Sequence, residues 1–338
     1  MDKTKLISNN KKYPLVYMII LNYINYQDTI ECVESLKKLN YPNYKVIIVD
    51  NASPNESELI LKRRYKENYI VLQSGKNLKY AGGNNFAVNY ILKKIDEPKY
   101  ILILNNDTKI IDEDMLTILI KNAEMIEDLG AIAPKIIRPD GKEDGPYAEP
   151  TFFGILFNEL FFPVAWLTRI VNKYIKGIFK LSNENYINIA NIVYRLSGSC
   201  MLVNFSAFIK VGMFDCNNEL YTEEMILAEK FILSGYNNYY FPRTSILHKH
   251  SKSISLIYSE KEKYYEMHKS NLYYFSKYKN YNGFKLMVLK ISAMIFANIY
   301  LPVICVFKRK IYRSKLRQWE ILYKNDVLID KSMKILLL

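Results

Sequence analysis

The amino-acid sequence predicts an α/β fold with a mostly parallel central sheet and helices on both of its faces. Short apolar runs alternate with stretches of helical periodicity along the first half of the chain, which is the order expected of βαβ units. The runs are rich in Ile, Val and Leu at every position, as strands buried on both faces are. Several runs end in Asn or Asp, and open α/β sheets bind ligands at such strand ends.

The first strand is predicted at residues 15–21, "LVYMIIL", and it ends at Asn22 and Tyr23. Asp28 then predicts a helix N-cap, because Glu31 follows three residues later and apolar residues recur at spacings of three. A strand followed directly by a helix begins the first βαβ unit.

The second strand is predicted at residues 46–49 and is closed by Asp50 and Asn51. A basic helix follows through residues 59–65, and "YIVLQS" at residues 69–74 predicts a short third strand. Strand and helix therefore continue to alternate, which favours parallel pairing.

Gly82 and Gly83 are predicted to form a turn that opens the third helix, within "NLKYAGGNNFAVNYILKKI". Because glycine has no Cβ, the backbone of such a turn can approach a ligand closely. The fourth strand is predicted at residues 100–104. The helix after it, at residues 116–126, is predicted to end at Gly130.

Polar residues converge where the first, second and fourth predicted strands end. The fourth strand runs directly into Asn105, Asn106, Asp107 and Thr108. A single polar turn has a purely structural explanation, but right-handed crossovers place all of these strand ends on the same edge of the sheet. Asp107 is the expected ligand of a cation such as Mg²⁺, which takes one or two carboxylates together with phosphate oxygens and water. Asp50 is an expected contact for the base or ribose of a nucleotide.

Two carboxylates, Glu223 and Glu224, fall at a predicted helix start in the second half of the chain. Carboxylates in a first helical turn are stabilised by the helix dipole, so a structural role is enough to explain them. A carboxylate near the predicted crevice is also suited to act as a general base on a hydroxyl. Sequence spacing does not separate these two interpretations.

The charge of the chain favours anionic partners. Its 47 basic and 34 acidic residues give a formal net charge of +13, which attracts nucleotides, acidic membrane surfaces or nucleic acid. No recognisable nucleic-acid-binding motif accompanies the charge, so no nucleic-acid partner is predicted. Four well-separated cysteines and a polar N-terminus without an apolar signal core predict a reduced, cytoplasmic setting.

Eight short motifs occur in order between residues 13 and 255. They are "IILNY", "VDNAS", "NLKYAGGNN", "LNNDT", "SGSCMLV", "GMFD", "YTEEM" and "LHKHSKS". With these motifs the chain resembles family 2 glycosyltransferases, in the branch that includes rhamnosyltransferases of bacterial surface-polysaccharide synthesis. The resemblance implies a GT-A fold, a Rossmann-like sheet that binds a nucleotide sugar.

The resemblance also implies an inverting, metal-dependent transfer of a sugar. The donor is a nucleotide-diphosphate sugar, dTDP-rhamnose or a UDP-sugar, the cofactor is Mg²⁺ or Mn²⁺, and the acceptor is a saccharide or a lipid-linked saccharide. By position, Glu224 is the catalytic base, with Glu223 as its rival, and Asp107 and His248 bind the metal. The implied donor-binding residues are Asn22, Tyr23, Asp50, Asn51, Asn77, Tyr80, Gly82, Gly83, Asn84 and Asn106.

Four positions depart from the family pattern, and one of them is the base position Glu224, where Asp is commoner. Ile24 and Lys79 stand where Asn and Gly are usual, and Ile226 replaces the aspartate that follows the catalytic pair. These departures leave the reaction class intact and the donor sugar open. The other two histidines, His250 and His268, match no family position and are predicted to be exposed.

Two other functions are compatible with the same fold. A nucleotidyltransferase that makes an activated sugar also uses a Rossmann-like sheet and Mg²⁺, but it consumes a nucleoside triphosphate and releases pyrophosphate. A membrane-docked scaffold that has lost turnover releases nothing.

Two apolar stretches, residues 151–171 and 284–310, predict contact with an anionic membrane surface. Each is alternatively explained as buried core, but basic residues flank the second stretch, which favours an interfacial helix at anionic head groups. The protein is thus predicted to lie peripherally on the inner face of the cell membrane. The predicted organisation is a flexible N-terminus at 1–12, a glycosyltransferase domain at 13–260 with an apolar insertion at 151–180, and a C-terminal helical, membrane-associating region at 261–338.

Overall fold

The computed structural model describes residues 13–94, 96–161, 190–218, 221–249, 260–304 and 306. Within these ranges the chain forms a nine-stranded sheet with helices on both faces. The strands are β1 (Val16–Asn22), β2 (Tyr44–Asp50), β3 (Ile70–Gln73), β4 (Tyr100–Asn105), β5 (Thr108–Ile110), β6 (Leu129–Ile137), β7 (Asn191–Val193), β8 (Cys200–Asn204) and β9 (Asn237–His248). The helices are α1 (Tyr26–Leu36), α2 (Ser57–Tyr65), α3 (Lys79–Ile91), α4 (Met115–Ala123), α5 (Phe152–Leu160), α6 (Phe205–Lys210), α7 (Glu223–Leu233), α8 (Glu260–Lys277) and α9 (Gly283–Ile295), and a π-helical turn (Phe296–Tyr300) extends the last of them.

The strand order of the sheet is β3-β2-β1-β4-β8-β6-β9-β5, and β7 pairs with β9. The first four strands of the chain are parallel to one another, so their carboxyl ends lie side by side. Asn22 is opposite Asp50, and Leu21 is opposite Asn105. The predicted α/β fold is therefore confirmed, and the three polar strand ends do meet at one edge.

Long-range pairing in the other half of the sheet completes this edge. β8 is antiparallel to β4 and β6, and β6 is parallel to β9. The short β5 pairs antiparallel with β9, which places Thr108 opposite His248. Asp107, the residue before β5, therefore lies beside the last residue of β9.

Helices on both faces of β1 create two hydrophobic cores. Val16, Met18 and Ile20 belong to the core under α1 and α4. Tyr17 and Ile19 belong to the core under α3 and α6. All of these side chains are at most 1% exposed. Burial of one such side chain contributes roughly 1.5–3 kcal/mol to folding, which is why β1 is apolar at every position except its end.

The N-cap of α1 is Asn25, whereas the sequence analysis predicted Asp28. Asn25 Oδ1 accepts a hydrogen bond from the backbone N–H of Asp28. Asn25 Nδ2 in turn donates to the Asp28 carboxylate. The prediction was wrong because Asp28 lies inside the first turn, where the helix dipole also stabilises its charge.

Gly82 and Gly83 lie inside α3 and do not form the predicted turn. A Cβ on Gly83 would clash with Cδ1 of Leu21 in β1. The glycine is therefore explained by the close approach of α3 to the sheet, which the sequence pattern did not reveal.

We expect Gly83→Ala to destabilise the protein by about 1–3 kcal/mol, because an added methyl in a filled interface forces side-chain and backbone shifts. Gly283→Ala is the matched control, since a Cβ on Gly283 meets nothing within 4 Å. Chemical denaturation of both variants measures the free energy of unfolding. Equal, small changes in the two would contradict the packing argument.

Gly130 was predicted to end the preceding helix, but it lies in β6. α4 ends at Ala123, and a Cβ on Gly130 would lie 2.8 Å from Cγ of Phe231. The glycine thus allows Phe231 of α7 to pack directly on the strand.

Ile24 and Lys79, two of the departures from the family pattern, have positive φ angles of 66° and 59°. This left-handed conformation suits Gly and is tolerated by Asn, whereas other residues lose roughly 1–2 kcal/mol in it. The usual Asn and Gly at these positions are therefore explained by backbone conformation.

The C-terminal helices α8 and α9 pack against α5 and α7. Met225 and Ile226 of α7 lie in one apolar cluster with Tyr274, Phe275 and Leu289. Ile226 is completely buried there. A carboxylate at this position would be buried among apolar side chains, which is costly. The third departure from the family pattern is thus explained by packing against the C-terminal helices.

Buried carboxylates also tie the C-terminal helices to the sheet domain. Asp215 accepts hydrogen bonds from Tyr273 and Lys277 of α8. Burial raises the pKa of Asp215, but these hydrogen bonds outweigh it and hold the pKa well below the usual range. Glu229 of α7 forms an ion pair with Lys279, with 2.6 Å between Oε2 and Nζ.

His268 is buried, with 6% of its surface exposed, and not exposed as was predicted. Its Nδ1 lies 3.6 Å from Oε1 of Glu159 in α5. Glu159 also accepts hydrogen bonds from Tyr264 of α8 and Ser292 of α9, so a polar cluster joins all three helices. His250 lies outside the described residues.

One described helical stretch, Gly283–Ile304, is long and apolar enough to cross a membrane by length and composition. Its exposed side chains include Phe284, Met287, Ile291 and Met294. The predicted C-terminal apolar helix is therefore confirmed. Residues 1–12, 162–180 and 307–338 of the predicted organisation lie outside the described residues.

Candidate active site

A hydrogen-bond network joins the ends of β1 and β2. Asp50 is completely buried, and its carboxylate accepts hydrogen bonds from Asn22 Nδ2 (2.7 Å), Ser53 Oγ (2.6 Å) and Gln73 Nε2 (3.1 Å). Asn22 Oδ1 accepts a hydrogen bond from Thr29 Oγ1 at 2.6 Å. A nucleoside contact to Asp50 therefore requires that the ligand replace one of these donors, and that contact stays a prediction.

Asn106 extends the network to the end of β4. Its Nδ2 donates to the carbonyl of Asn25 at 3.1 Å and to Thr29 Oγ1 at 3.0 Å. Because Thr29 also contacts Asn22, one hydroxyl connects two of the polar strand ends. Tyr23 is half-buried where the chain leaves β1. The same edge of the sheet therefore carries three of the residues predicted to bind the nucleotide sugar, namely Asn22, Tyr23 and Asn106.

Asn51 holds the loop that leads into α3. Its Nδ2 lies 3.1 Å from both Asn77 Oδ1 and the carbonyl of Lys79, and its Oδ1 accepts a hydrogen bond from the backbone N–H of Leu78 at 2.9 Å. The predicted donor residue Asn77 is therefore fixed beside the end of β2.

Tyr80, in the first turn of α3, connects the loop at residues 74–78, called the donor loop here, to a second loop at Gly198. Its hydroxyl donates to the carbonyl of Gly198 at 2.7 Å. Asn84 is 1% exposed and donates from Nδ2 to the carbonyl of Tyr80, while its Oδ1 has no partner in the described part of the chain. Gly82 is half-buried and Gly83 is buried in α3. The predicted nucleotide contacts of these residues stay predictions.

Asp107 and His248 lie together, as the pairing of β5 with β9 requires. His248 Nε2 is 3.2 Å from Asp107 Oδ1, and both side chains are more than nine-tenths buried. On the other side of the ring, Nδ1 lies 2.9 Å from Asp144 Oδ2. Burial lowers the pKa of His248, but the hydrogen bonds to the two carboxylates outweigh it and raise the pKa to about 9. The two carboxylates thus favour the protonated ring, and a divalent cation that bound at Nε2 would replace the proton there.

Asp144 is a site residue that the sequence did not single out. It lies in the polar loop after β6, within "PDGKEDGPYAEP", where nothing distinguishes it from other acidic loop residues. Besides His248, it accepts hydrogen bonds from Tyr147 (2.5 Å) and Ser197 (3.0 Å). Burial raises the pKa of Asp144, but the bonds from His248 and Tyr147 hold it well below the usual range.

The donor set at Asp107 and His248 fits a divalent cation that is shared with a diphosphate. In the described ranges, no group of three or more His, Cys, Asp or Glu side chains is arranged to hold a metal by itself. One carboxylate and one imidazole suit Mg²⁺ or Mn²⁺ when phosphate oxygens and water complete the coordination. Asp107 and His248 are the residues that would hold such an ion.

Glu223 and Glu224 begin α7, as was predicted, but their environments differ. Glu223 is 3% exposed, whereas Glu224 is half-buried. The Glu224 carboxylate lies so close to Gly198 that a Cβ there would clash with Oε1, and Tyr80 OH lies 2.8 Å from the same point. Burial and the nearby charge of Glu224 raise the pKa of Glu223. Glu224 is thus the carboxylate that faces the loops of the site.

We expect the raised pKa of Glu223 to make the protein less stable as pH increases. The folded protein keeps a proton on Glu223 at pH values where the unfolded chain has lost it, so stability falls as pH rises above the ordinary value of about 4.5. Glu223→Gln cannot lose a proton, so its unfolding free energy should fall less steeply with pH. Urea denaturation between pH 5 and 9 measures this, with the exposed Glu56→Gln as control. Parallel pH profiles for wild type and Glu223→Gln would contradict the assignment.

Continuous contacts connect Asp107 and His248 to the loop that Glu224 faces. Ser197 Oγ bonds to Asp144 and lies 2.9 Å from Ser199 Oγ, and Gly198 between the two serines contacts Glu224. Asp144 bonds to His248, which contacts Asp107. The chain of contacts therefore runs without a gap from Asp107 to the loop that Glu224 faces.

The model of glycosyl transferase family 2 matches residues 16–212, which is more than half of the chain. The chain belongs to glycosyl transferase family 2. The predicted family is therefore confirmed. The matched residues include the network at Asp50, the donor loop, Asp107 and the loop at Gly198, whereas Glu224 and His248 lie beyond them.

Two relatives of this family 2 glycosyltransferase are sugar transferases by their names. Rhamnosyltransferase WbbL of Escherichia coli K12 is 27% identical over 239 residues, which are 69% of this chain and 83% of WbbL. The low-salt glycan biosynthesis hexosyltransferase Agl10 of Haloferax volcanii is 25% identical over 210 residues, which are 62% of this chain and 58% of Agl10.

Solved structures similar to this glycosyltransferase have the GT-A fold. The mannosyltransferase PcManGT of Pyrobaculum calidifontis, solved with GDP-Man and Mn²⁺, gives a TM-score of 0.53 at 13% identity and covers 91% of this chain and 83% of its own. Residues 1–349 of TarS from Staphylococcus aureus, solved with UDP-GlcNAc, give a TM-score of 0.51 at 16% identity and cover 81% of this chain and 70% of its own. These likenesses show the fold of the chain, and the predicted GT-A fold is confirmed.

Proposed function

We propose that this family 2 glycosyltransferase transfers a sugar, with inversion, from a nucleotide-diphosphate donor to a saccharide or lipid-linked saccharide in cell-surface polysaccharide synthesis. The observation that carries the proposal is the unbroken series of contacts from Asp107 and His248, through Asp144, to the loop against Glu224. It puts the residues suited to a diphosphate and its cation in the same site as a carboxylate suited to an acceptor hydroxyl.

The relatives support the choice of substrates. WbbL is a rhamnosyltransferase, which favours dTDP-rhamnose as the donor, and TarS was solved with UDP-GlcNAc, which favours a UDP-sugar. PcManGT was solved with Mn²⁺, which supports a divalent cation, Mg²⁺ or Mn²⁺, at Asp107 and His248.

In the proposed reaction, the acceptor hydroxyl attacks the anomeric carbon from the face opposite the diphosphate. Glu224 accepts the hydroxyl proton as the new C–O bond forms and the bond to the diphosphate oxygen breaks. Asp107 and His248 orient the diphosphate, and a bound divalent cation would supply Lewis-acid stabilisation of its negative charge. Glu223 is too buried to reach the acceptor, and its role is to support the start of α7.

A panel of nucleotide sugars with Mg²⁺ or Mn²⁺ tests the proposed function. Release of a nucleoside diphosphate, with the sugar appearing on an acceptor, is the expected result. Release of pyrophosphate from a nucleoside triphosphate would instead identify a nucleotidyltransferase, and no release from any donor would favour a scaffold.

We also propose that α5 and α9 dock the enzyme on the anionic inner face of the cell membrane. Phe153 and Phe157 of α5 and Phe284 of α9 are exposed, and α9 packs against α5 through the Glu159 cluster. Lys285 and Lys290 on α9 are exposed as well. Apolar side chains combined with lysines suit the boundary between acyl chains and anionic head groups. Residues 261–338 would thus be a membrane-associating region appended to a glycosyltransferase domain at 13–260, with its insertion at 151–180.

We expect the purified protein to bind liposomes that contain anionic lipid, and to bind them less tightly as salt screens the lysines. Phe153→Ser and Phe284→Ser should each weaken binding by about tenfold or more, because a buried Phe contributes roughly 1.5–3 kcal/mol. Met125→Ser is the control, since Met125 is 68% exposed at the end of α4. Cosedimentation measures all of these. A wild-type protein that ignores anionic liposomes at low salt would overturn the docking proposal.

A further inference from the structure

Asp144 lies between the two halves of the proposed site, and its carboxylate bonds to a residue of each. Oδ2 lies 2.9 Å from Nδ1 of His248 and 3.0 Å from Oγ of Ser197, and Oδ1 lies 2.5 Å from the hydroxyl of Tyr147. The residue is 9% exposed. A buried carboxylate with this many donors fixes the orientation of each donor.

We propose that Asp144 is a positioning residue of the transfer reaction, which orients the His248 ring toward Asp107 and fixes the Ser197–Ser199 loop against Glu224. The proposal rests on the proposed function, because that function assigns cation binding to the His248 ring and makes Glu224, which the loop supports, the general base. Asp144 does not itself touch the reacting atoms.

The effect on His248 follows from which ring nitrogen carries the bond to Asp144. Since Nδ1 donates its proton to Asp144, Nε2 is the nitrogen that faces Asp107 and a shared cation. Carboxylates that bond to the second nitrogen of a metal-binding histidine fix its tautomer and raise its basicity, and their loss typically costs about 10–100-fold in metal affinity or activity.

The effect on the Glu224 side follows from the loop. Ser197 bonds to the same carboxylate oxygen as His248, and its hydroxyl also contacts Ser199, which is buried. Gly198 between them has no room for a Cβ because Glu224 lies against it. A displacement of Asp144 would therefore change both the ring that faces Asp107 and the surface against which Glu224 rests.

Asp144→Asn tests the proposal, because it keeps the size of the side chain and removes its charge. We expect the affinity for Mn²⁺ in the presence of UDP, measured by electron paramagnetic resonance of the free ion, to fall by about 10–100-fold. In nuclear magnetic resonance spectra, the signal of the Nδ1 proton of His248 should shift and exchange faster than in wild type, because the neutral amide oxygen accepts a weaker hydrogen bond than the carboxylate. The His248 signal is identified by its absence from His248→Gln, which is practical because the chain has only 3 histidines.

Asp140→Asn is the matched control. Asp140 lies in the same loop, but it pairs at the surface with Lys142 at 3.1 Å. It should change neither the Mn²⁺ affinity nor the His248 signal.

Unchanged Mn²⁺ affinity and an unchanged His248 ring in a folded Asp144→Asn variant would overturn the proposal. Were that variant unfolded by circular dichroism, the wild-type spectrum would decide, because a His248 ring without a proton on Nδ1 contradicts the proposed orientation. Neither readout needs turnover. A wild-type protein that releases no nucleoside diphosphate would therefore count against the proposed function and leave the test of Asp144 intact.

Discussion

Glu224→Gln should lower the rate of sugar transfer by about 10²–10⁴-fold, which is the usual contribution of a positioned general base. Gln keeps the size of the side chain and its fit against Gly198, but it cannot accept the proton of the acceptor hydroxyl. Because the carboxylate is not part of the network around Asp50 and Asn51, the affinity for the donor should stay nearly unchanged. The kcat for transfer and the dissociation constant of the donor, measured separately, test both expectations.

Glu223→Gln is the comparison that locates the base. Glu223 is buried beneath its neighbour, and its raised pKa favours the neutral form that Gln mimics. This variant should therefore keep much more transfer activity than Glu224→Gln. Near-normal transfer by Glu224→Gln together with an inactive Glu223→Gln would move the role by one position. An equal loss of donor binding in Glu224→Gln would instead make Glu224 a donor-site residue.

Asp107→Ala should abolish metal-stimulated transfer and leave the fold intact. The variant removes the only carboxylate of the motif "LNNDT" at the end of β4, and several kcal/mol of transition-state stabilisation correspond to a loss of at least about 10²-fold. The backbone should hold, because the Lys249 N–H still donates to the carbonyl of residue 107, as it does at 2.9 Å in wild type.

Asp114→Ala is the matched control for this variant, since Asp114 is an exposed carboxylate a few residues further along the chain. It should keep wild-type activity and the same response to added Mn²⁺. Turnover with and without chelator measures the effect. Full activity of Asp107→Ala, or a wild-type enzyme that is indifferent to chelator, would contradict the assignment of the cation to this position.

The parallel half of the sheet could be predicted because its signals are local. The buried run Tyr100–Asn105 and the polar residues after it occur within one short segment, and right-handed crossovers then dictate the shared edge. The position of His248 beside Asp107 could not be predicted in this way, because β5 and β9 are far apart in the sequence. Only the family resemblance linked His248 to the metal before the strands were seen to pair.

Local signals also failed where two nearby residues could fill the same role. Asn25 and Asp28 are both good N-caps, and the backbone geometry decides between them. Glu223 and Glu224 are identical, adjacent residues at a predicted helix start, and only their different burial in the folded protein distinguishes them. Asp144 carries no pattern at all, since its importance arises from three partners that come from other parts of the chain or, like Tyr147, from a turn of the same loop.

The packing of α7 against the C-terminal helices fixes the position of Glu224 relative to those helices. Glu224 lies in the first turn of α7, and the next two residues, Met225 and Ile226, pack against Tyr274 and Leu289 of the helices that are proposed to dock on the membrane. In a membrane-docked enzyme, the Glu224 carboxylate would therefore lie at a constant distance from the bilayer surface. A lipid-linked acceptor would then be sorted by how far its free hydroxyl projects from its anchor, before any contact with its sugar rings is made.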